Sequence, residues 1–163
     1  MTAHLSLATR SPLRLFIPTR CGAAPVDPSD ARQWREFTDP SGDVTFIRSD
    51  YLAGAHRLTQ NLRSRSSSPT SQPTAVVLQI EVVIDRDPAT ARLALGGEPR
   101  RVDDGRPTFQ FVGSPAGLTG LVADIYIAEV ADGVAFVPLL RAQHAQDICG
   151  DVAARLRRRG MMS

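Results

Sequence analysis

An arginine beside a helix-opening hydroxyl or glycine is a small piece of anion chemistry. The guanidinium pairs with the charge while the free amides at the helix start donate to it. The chain offers two candidates for this chemistry, Arg48 with Ser49 at a helix start and Arg20 with Gly22 at the end of a strand. Both suit a phosphate; the competing reading is ordinary caps and surface arginines. Gly113-Ser114-Pro115 is a third candidate anion site, although a Ser-Pro helix start is more commonly a structural cap. His4, His56 and His144 are widely spaced and lack a metal-ligand pattern. Neither a Gly-x-Ser-x-Gly elbow nor a phosphate-loop pattern occurs, and Asp103-Asp104-Gly105 reads as a turn. Cys21 and Cys149 lie far apart and read as packed thiols rather than a bridge.

Strands and helices alternate along the chain and must position these residues. Residues 13–17 form a short strand hemmed by Pro12 and Pro18, and residues 21–30 a loop. Ser29 or Asp30 caps a short helix carrying Trp34 and Phe37. Asp39-Pro40-Ser41-Gly42 is a turn, residues 43–47 a strand, and Ser49 caps a helix whose apolar face is Leu52, Ala55, Leu58 (or Thr59) and Leu62. Residues 63–74 are a Ser/Pro-rich flexible linker. AVVLQIEVVI, residues 75–84, is β-branched and apolar and is the strongest strand. Asp87-Pro88 starts a short helix through Leu95, and the polar, turn-rich residues 96–107 are a second flexible segment.

The C-terminal stretch is the most legible. Ser114 caps a helix with Pro115 in its first turn, and Leu118, Leu121, Val122 and Ile125 recur on one face. Asp132-Gly133 is turn chemistry, and residues 134–139 are an apolar run suited to a strand covered on both faces. A last helix carries Ala145, Ile148, Cys149, Val152 and Leu156 on one face. It ends in Arg155, Arg157, Arg158 and Arg159, where cations complement the helix dipole, before Gly160. This alternation implies parallel strands with crossovers. An open doubly wound sheet explains it as well as a barrel does.

The chain has 163 residues, 42% of them hydrophobic, enough for one substantial core. No apolar stretch reaches membrane-spanning length, and the N-terminus lacks a signal-peptide h-region, so the expected location is the cytoplasm. A net charge of +2 is too small to argue for nucleic acid. The Arg155–Arg159 cluster reads as a solvated helix end, with a nucleic-acid contact as a weaker alternative.

Taken in order, Gly113-Ser114-Pro115, Ala131-Asp132-Gly133-Val134, Val137-Pro138-Leu139 and Leu156-Arg157-Arg158-Arg159-Gly160 resemble the C-terminal end of the luciferase-like flavin-dependent monooxygenases. The resemblance is to the branch that oxidises nitrilotriacetate-type, sulfonate or organosulfur substrates. It continues upstream, more weakly, through Gly42-Asp43-Val44-Thr45-Phe46-Ile47-Arg48-Ser49-Asp50 and Val76-Val77-Leu78-Gln79-Ile80-Glu81-Val82-Val83, covering residues 43–160 and leaving 1–42 unassigned. It implies an α/β fold: a partial (β/α)8 TIM barrel, the C-terminal half, with about four parallel strand–helix units where a whole barrel needs roughly 250 residues. It further implies FMN or a deazaflavin as cofactor, a small-molecule substrate and a partner flavin reductase. Barrel function sits at the C-terminal strand ends, here Thr19 to Gly22, Arg48 to Asp50, Asp85-Arg86 and Pro138 to Arg141. Arg20, Gly22, Arg48 and Ser49 are then the candidates for the flavin phosphate. A half-barrel would leave two open sheet edges and an apolar inner face, with Val76, Leu78, Ile80 and Val82 on one face of their strand and Val77, Val83 and Ile84 on the other. The expectation is therefore self-association, or pairing with a full-length relative as a non-enzymatic subunit.

Overall fold

The computed structural model describes residues 10–20, 30–39, 42–65, 74–101 and 105–162. Its centre is β4 (Ala75–Ile84), the apolar run that the sequence marked as a strand. Parallel to it on one edge lies β6 (Gly133–Pro138), and beyond that β1 (Arg14–Pro18), also parallel. On its other edge, β3 (Val44–Ile47) pairs with residues 75–78 and β5 (Phe109–Gly113) with residues 80–84. The two short strands lie end to end along one long one. The last strand, β2 (Trp34–Glu36), pairs antiparallel with β1.

Four helices complete the mixed α/β fold: α1 (Leu52–Arg65), α2 (Pro88–Gly97), α3 (Pro115–Ile127) and α4 (Ala145–Arg158). Strand alternation sorts the side chains. Leu15, Ile17, Ile47, Val76, Leu78, Ile80, Val82, Val134 and Phe136 point to the outer face. There they pack against Ala55 of α1, Leu118, Val122 and Ile125 of α3, and Cys149, Val152 and Leu156 of α4. Thr59, rather than Leu58, is the buried member of α1, and its hydroxyl donates to the carbonyl of Val130 at 2.6 Å.

Among the described residues no helix covers the middle of the inner face, yet it is not open. The sheet curls until its two ends meet. Trp34, on the end strand β2, stacks on Phe46 of β3 with ring centroids 5.2 Å apart, and Phe16 meets Phe46 edge-on at 5.1 Å. Together they bury Val77 and Ala135. Beside them the guanidinium of Arg14 grips the Glu36 carboxylate through Nε at 2.7 Å and Nη2 at 2.5 Å, and donates from Nη1 to the Gly42 carbonyl at 3.2 Å. Further along, Val83 is covered by Ala91 of α2 with Leu139 and Leu140. The result is a curled half-barrel with a filled interior. The apolar inner face expected to drive association is buried, which leaves strand edges as the exposed feature. Among the described residues no strand covers the outer edge of β2, β3 or β5.

Three elements differ from the sequence reading. Residues 31–37 are not an α-helix: Asp30 caps only a 3-10 turn (Ala31–Gln33), and the chain then extends, with Trp34 and Glu36 inward and Arg35 outward. Strand β5 was not expected; it makes five parallel strands, with the four α-helices following β3, β4, β5 and β6. The reversal after α3 is made by Ala128 and Glu129, whose φ is 58°, and not by Asp132-Gly133.

Those two residues instead bind the strands. The Asp132 carboxylate, 4% exposed, accepts from the amide of Val76 at 2.9 Å and pairs with Arg63 of α1 at 2.8 Å. Its backbone joins β4 and β1, donating to the Val76 carbonyl and accepting from the Arg14 amide. A Cβ on Gly133 would lie 2.3 Å from the Arg14 carbonyl oxygen, so only glycine lets β1 and β6 approach. Asp132→Ala strands the buried Val76 amide and removes an ion pair, and is expected to cost about 2–3 kcal/mol. Gly133→Ala forces two strands apart at a backbone atom and is expected to cost about 3 kcal/mol. Both are read as lower urea midpoints at unchanged slope; a wild-type midpoint for either would contradict the assignment.

Candidate functional site

Parallel strands place their C-terminal ends on one rim, and in α/β folds that rim is where ligands bind. Arg48 stands there in an unusual position. Because β3 stops at Ile47 and β5 starts at Phe109 on the same edge of β4, Arg48 falls in the junction between them. Its Nε and Nη2 both donate to the Thr108 hydroxyl, at 3.0 and 2.6 Å, spanning that junction. Ser49 is 9% exposed; its hydroxyl donates to the Tyr51 carbonyl at 2.8 Å and accepts from the Tyr51 amide at 3.4 Å. Ser49 therefore shapes the entry into α1 and bonds no amide within the helix. Gly54 allows this packing, since a Cβ there would sit 2.5 Å from Ser49 Oγ. Arg20 is exposed, two residues beyond β1, and in the sheet β6 and β4 separate β1 from β3. Gly22 lies outside the described residues.

The rest of the rim is held by local bonds. Asp87 caps α2, accepting from the Thr90 amide at 2.8 Å; that amide and then the Thr90 hydroxyl lower its carboxyl below the usual range. Ser114 caps α3, accepting from the Gly117 amide at 3.2 Å, as its sequence context predicts. Gln143 clasps the end of β4, donating to the Ile84 carbonyl at 2.5 Å and accepting from its amide at 3.1 Å. Beside this clasp a cavity of about 320 Å³ opens between α3 and α4, with Ile84, Pro115, Ile148 and Val152 as floor and His144 and Asp147 at its edge. Sequence reasoning missed Thr108 and Gln143. Neither belongs to a motif, and their partners lie 60 and 59 residues away.

The arrangement is suited to binding. Among the described residues no His, Cys, Asp and Glu group could hold a metal ion. His56 faces Gln60, its neighbour on the helix, and the His144 side chain makes no capping bond. Cys149 is fully buried, and burial pushes its thiol up from 9.0 to about 12 against the opposing pull of Arg157 and Arg35. That thiol is no nucleophile at neutral pH. Tested against a flavin phosphate, the donor set fits in part. Arg48 and Arg20 bring positive charge to the rim, whereas the Ser49 proton is committed to Tyr51. Arg155, in the basic C-terminal cluster, pairs with Asp151 one turn back at 3.1 Å. No helix among the described residues is long and apolar enough to cross a membrane.

The sequence matches no family profile and no curated protein. Its fold is similar to that of the EDTA monooxygenase EmoA from Chelativorans sp. BNC1, with a TM-score of 0.56 at 13% identity. The similarity covers 75% of this chain and 43% of that protein, so the chain spans less than half of its structural relative. At this identity the likeness shows a shared fold, that of a curled half-barrel.

Burial of Cys149 gives two expectations. In the native protein it resists iodoacetamide at pH 8 and is alkylated only on unfolding, as read by peptide mass mapping; labelling of the folded chain would refute this. Its folded pKa lies above its unfolded one, so its contribution is complete below pH 9.0 and is lost as pH rises towards 12. Stability should fall there by at most about 1.4 kcal/mol per pH unit. Cys149→Ala should flatten that slope.

Proposed function

We propose that this chain is the C-terminal half of a flavin-dependent monooxygenase of the luciferase-like kind, within the nitrilotriacetate- and sulfonate-oxidising branch. The observation that carries this reading is the curled half-barrel shared with EDTA monooxygenase. It is supported by a rim that presents guanidiniums and little acid–base machinery of its own. FMN, or a deazaflavin in its place, would supply the redox and oxygen chemistry once reduced by a partner reductase. The chain's own residues would then bind and position. Arg48 would meet the phosphate, Arg20 would add charge from across the rim, and the Ser49–Tyr51 turn would fix Arg48 at the mouth.

A second reading has its own support. The edge of β5, which no strand among the described residues covers, favours a half-barrel that works with another chain. That partner would be a second copy or a full-length relative, which pairs along the edge and needs no chemistry here.

Calorimetric titration of the folded chain with oxidised and reduced FMN separates the two. The enzyme reading expects saturable micromolar binding, weakened about tenfold by Arg48→Ala, equivalent to about 1.4 kcal/mol. A sample with native near-ultraviolet dichroism that binds neither form would sink it. The partner reading expects a concentration-dependent dimer in analytical ultracentrifugation; a monomer throughout would count against it.

A further inference from the structure

Among the described residues, the inner face contains two buried polar atoms without a hydrogen-bond partner. Gln79 is 2% exposed and its Oε1 has no hydrogen-bond partner; Trp34 is 6% exposed and neither has its Nε1. Their roles are complementary, since an indole N–H only donates and an amide oxygen only accepts. They also share surroundings. Trp34 packs in one cluster with Phe16, Val77 and Ala135. These are the neighbours of Gln79 on that face: Ala135 is its register partner on β6, Phe16 pairs with Ala135 from β1, and Val77 is two residues back along β4. Nothing apolar can satisfy either atom, and buried polar groups in folded proteins are almost always paired with protein or with an internal water.

We propose that Trp34 and Gln79 form a polar slot in the aromatic layer that takes one neutral hydroxyl, accepting from Trp34 Nε1 and donating to Gln79 Oε1. The donor–acceptor pair selects the guest. A carboxylate or phosphate accepts from the indole but has no proton for the amide oxygen. An ammonium donates but cannot accept. Water and the hydroxyl of a small alcohol do both. The slot needs no flavin and stands apart from the proposed enzyme activity.

Trp34 is the only tryptophan in the chain, so its indole N–H gives one assignable resonance. In NMR of the full chain, that proton should show a cross-peak to a long-lived water while remaining slow to exchange. Gln79→Met keeps the volume and removes the acceptor; the cross-peak should vanish and the indole proton shift upfield. A slowly exchanging indole with no water cross-peak in the wild-type chain would overturn the proposal, and this reading holds even should the variant not fold. An unchanged cross-peak in a folded Gln79→Met protein would overturn it equally. Ethylene glycol and acetate, added separately, identify the guest. Displacement of the water signal by the diol alone assigns the slot to ligand hydroxyls, persistence with both assigns it to solvent, and displacement by acetate alone contradicts the hydroxyl chemistry.

Discussion

Everything else in this fold depends on how its sheet closes. A parallel sheet with helices on one face only must bury the other face or lose the apolar area that stabilises it. Here the solution is curvature. The end strands β2 and β3 come together through Trp34 and Phe46, and Phe16 completes the layer. One short antiparallel strand thus does the covering that further strands do in a whole barrel. The bidentate Arg14–Glu36 pair reinforces the same closure, because Arg14 reaches both β2 and the Gly42 carbonyl that leads into β3. Arg14 is 3% exposed and Glu36 10%. A charge pair so deeply buried gains little over apolar packing, but either partner alone would be costly. It therefore fixes which strands meet more than it adds to stability.

A second fastening lies where β1, β6 and β4 begin. Asp132 bonds both neighbouring strands and the end of α1, and Gly133 lets β1 come close enough to pair. The aromatic layer closes the sheet across its inner face, while Asp132 ties it to its outer helix layer. Helices α3 and α4 pack through Leu118, Val122, Val152 and Leu156, and are tied further by the Tyr126 hydroxyl donating to the Ser11 carbonyl and by Arg35 donating to Gln146.

How much of this was readable in the sequence follows from the range of each interaction. The Ser114 cap, the buried face of α4 and the ten-residue β4 depend on neighbours within one turn or on simple alternation, and they stand as read. Trp34-Arg35-Glu36 was misread as helical because its three residues are extended only by pairing with β1 and by the stack on Phe46. β5 was missed because its length is set by the part of the β4 edge that β3 leaves unoccupied. At the site, Arg48 and Ser49 were recognisable as a cation beside a helix start. The partners that decide what they can offer, Thr108 for one and Tyr51 for the other, were not. A hydrogen bond 60 residues away leaves no periodicity to detect.

The same division bears on function. The groups that hold the fold are spent on it: Asp132, Arg14 and Glu36 are paired, Ser114 and Asp87 are caps, and Cys149 is sealed in the core. At the rim, Arg48 is tethered to the neutral Thr108 hydroxyl, with carboxylates such as Asp87 and Asp147 elsewhere on it. On the proposed reading an anion would compete with Thr108 for Arg48, because a charge-assisted bond to phosphate is stronger than one to threonine. On that reading the guest at this rim would be a phosphate-bearing cofactor that brings its own chemistry.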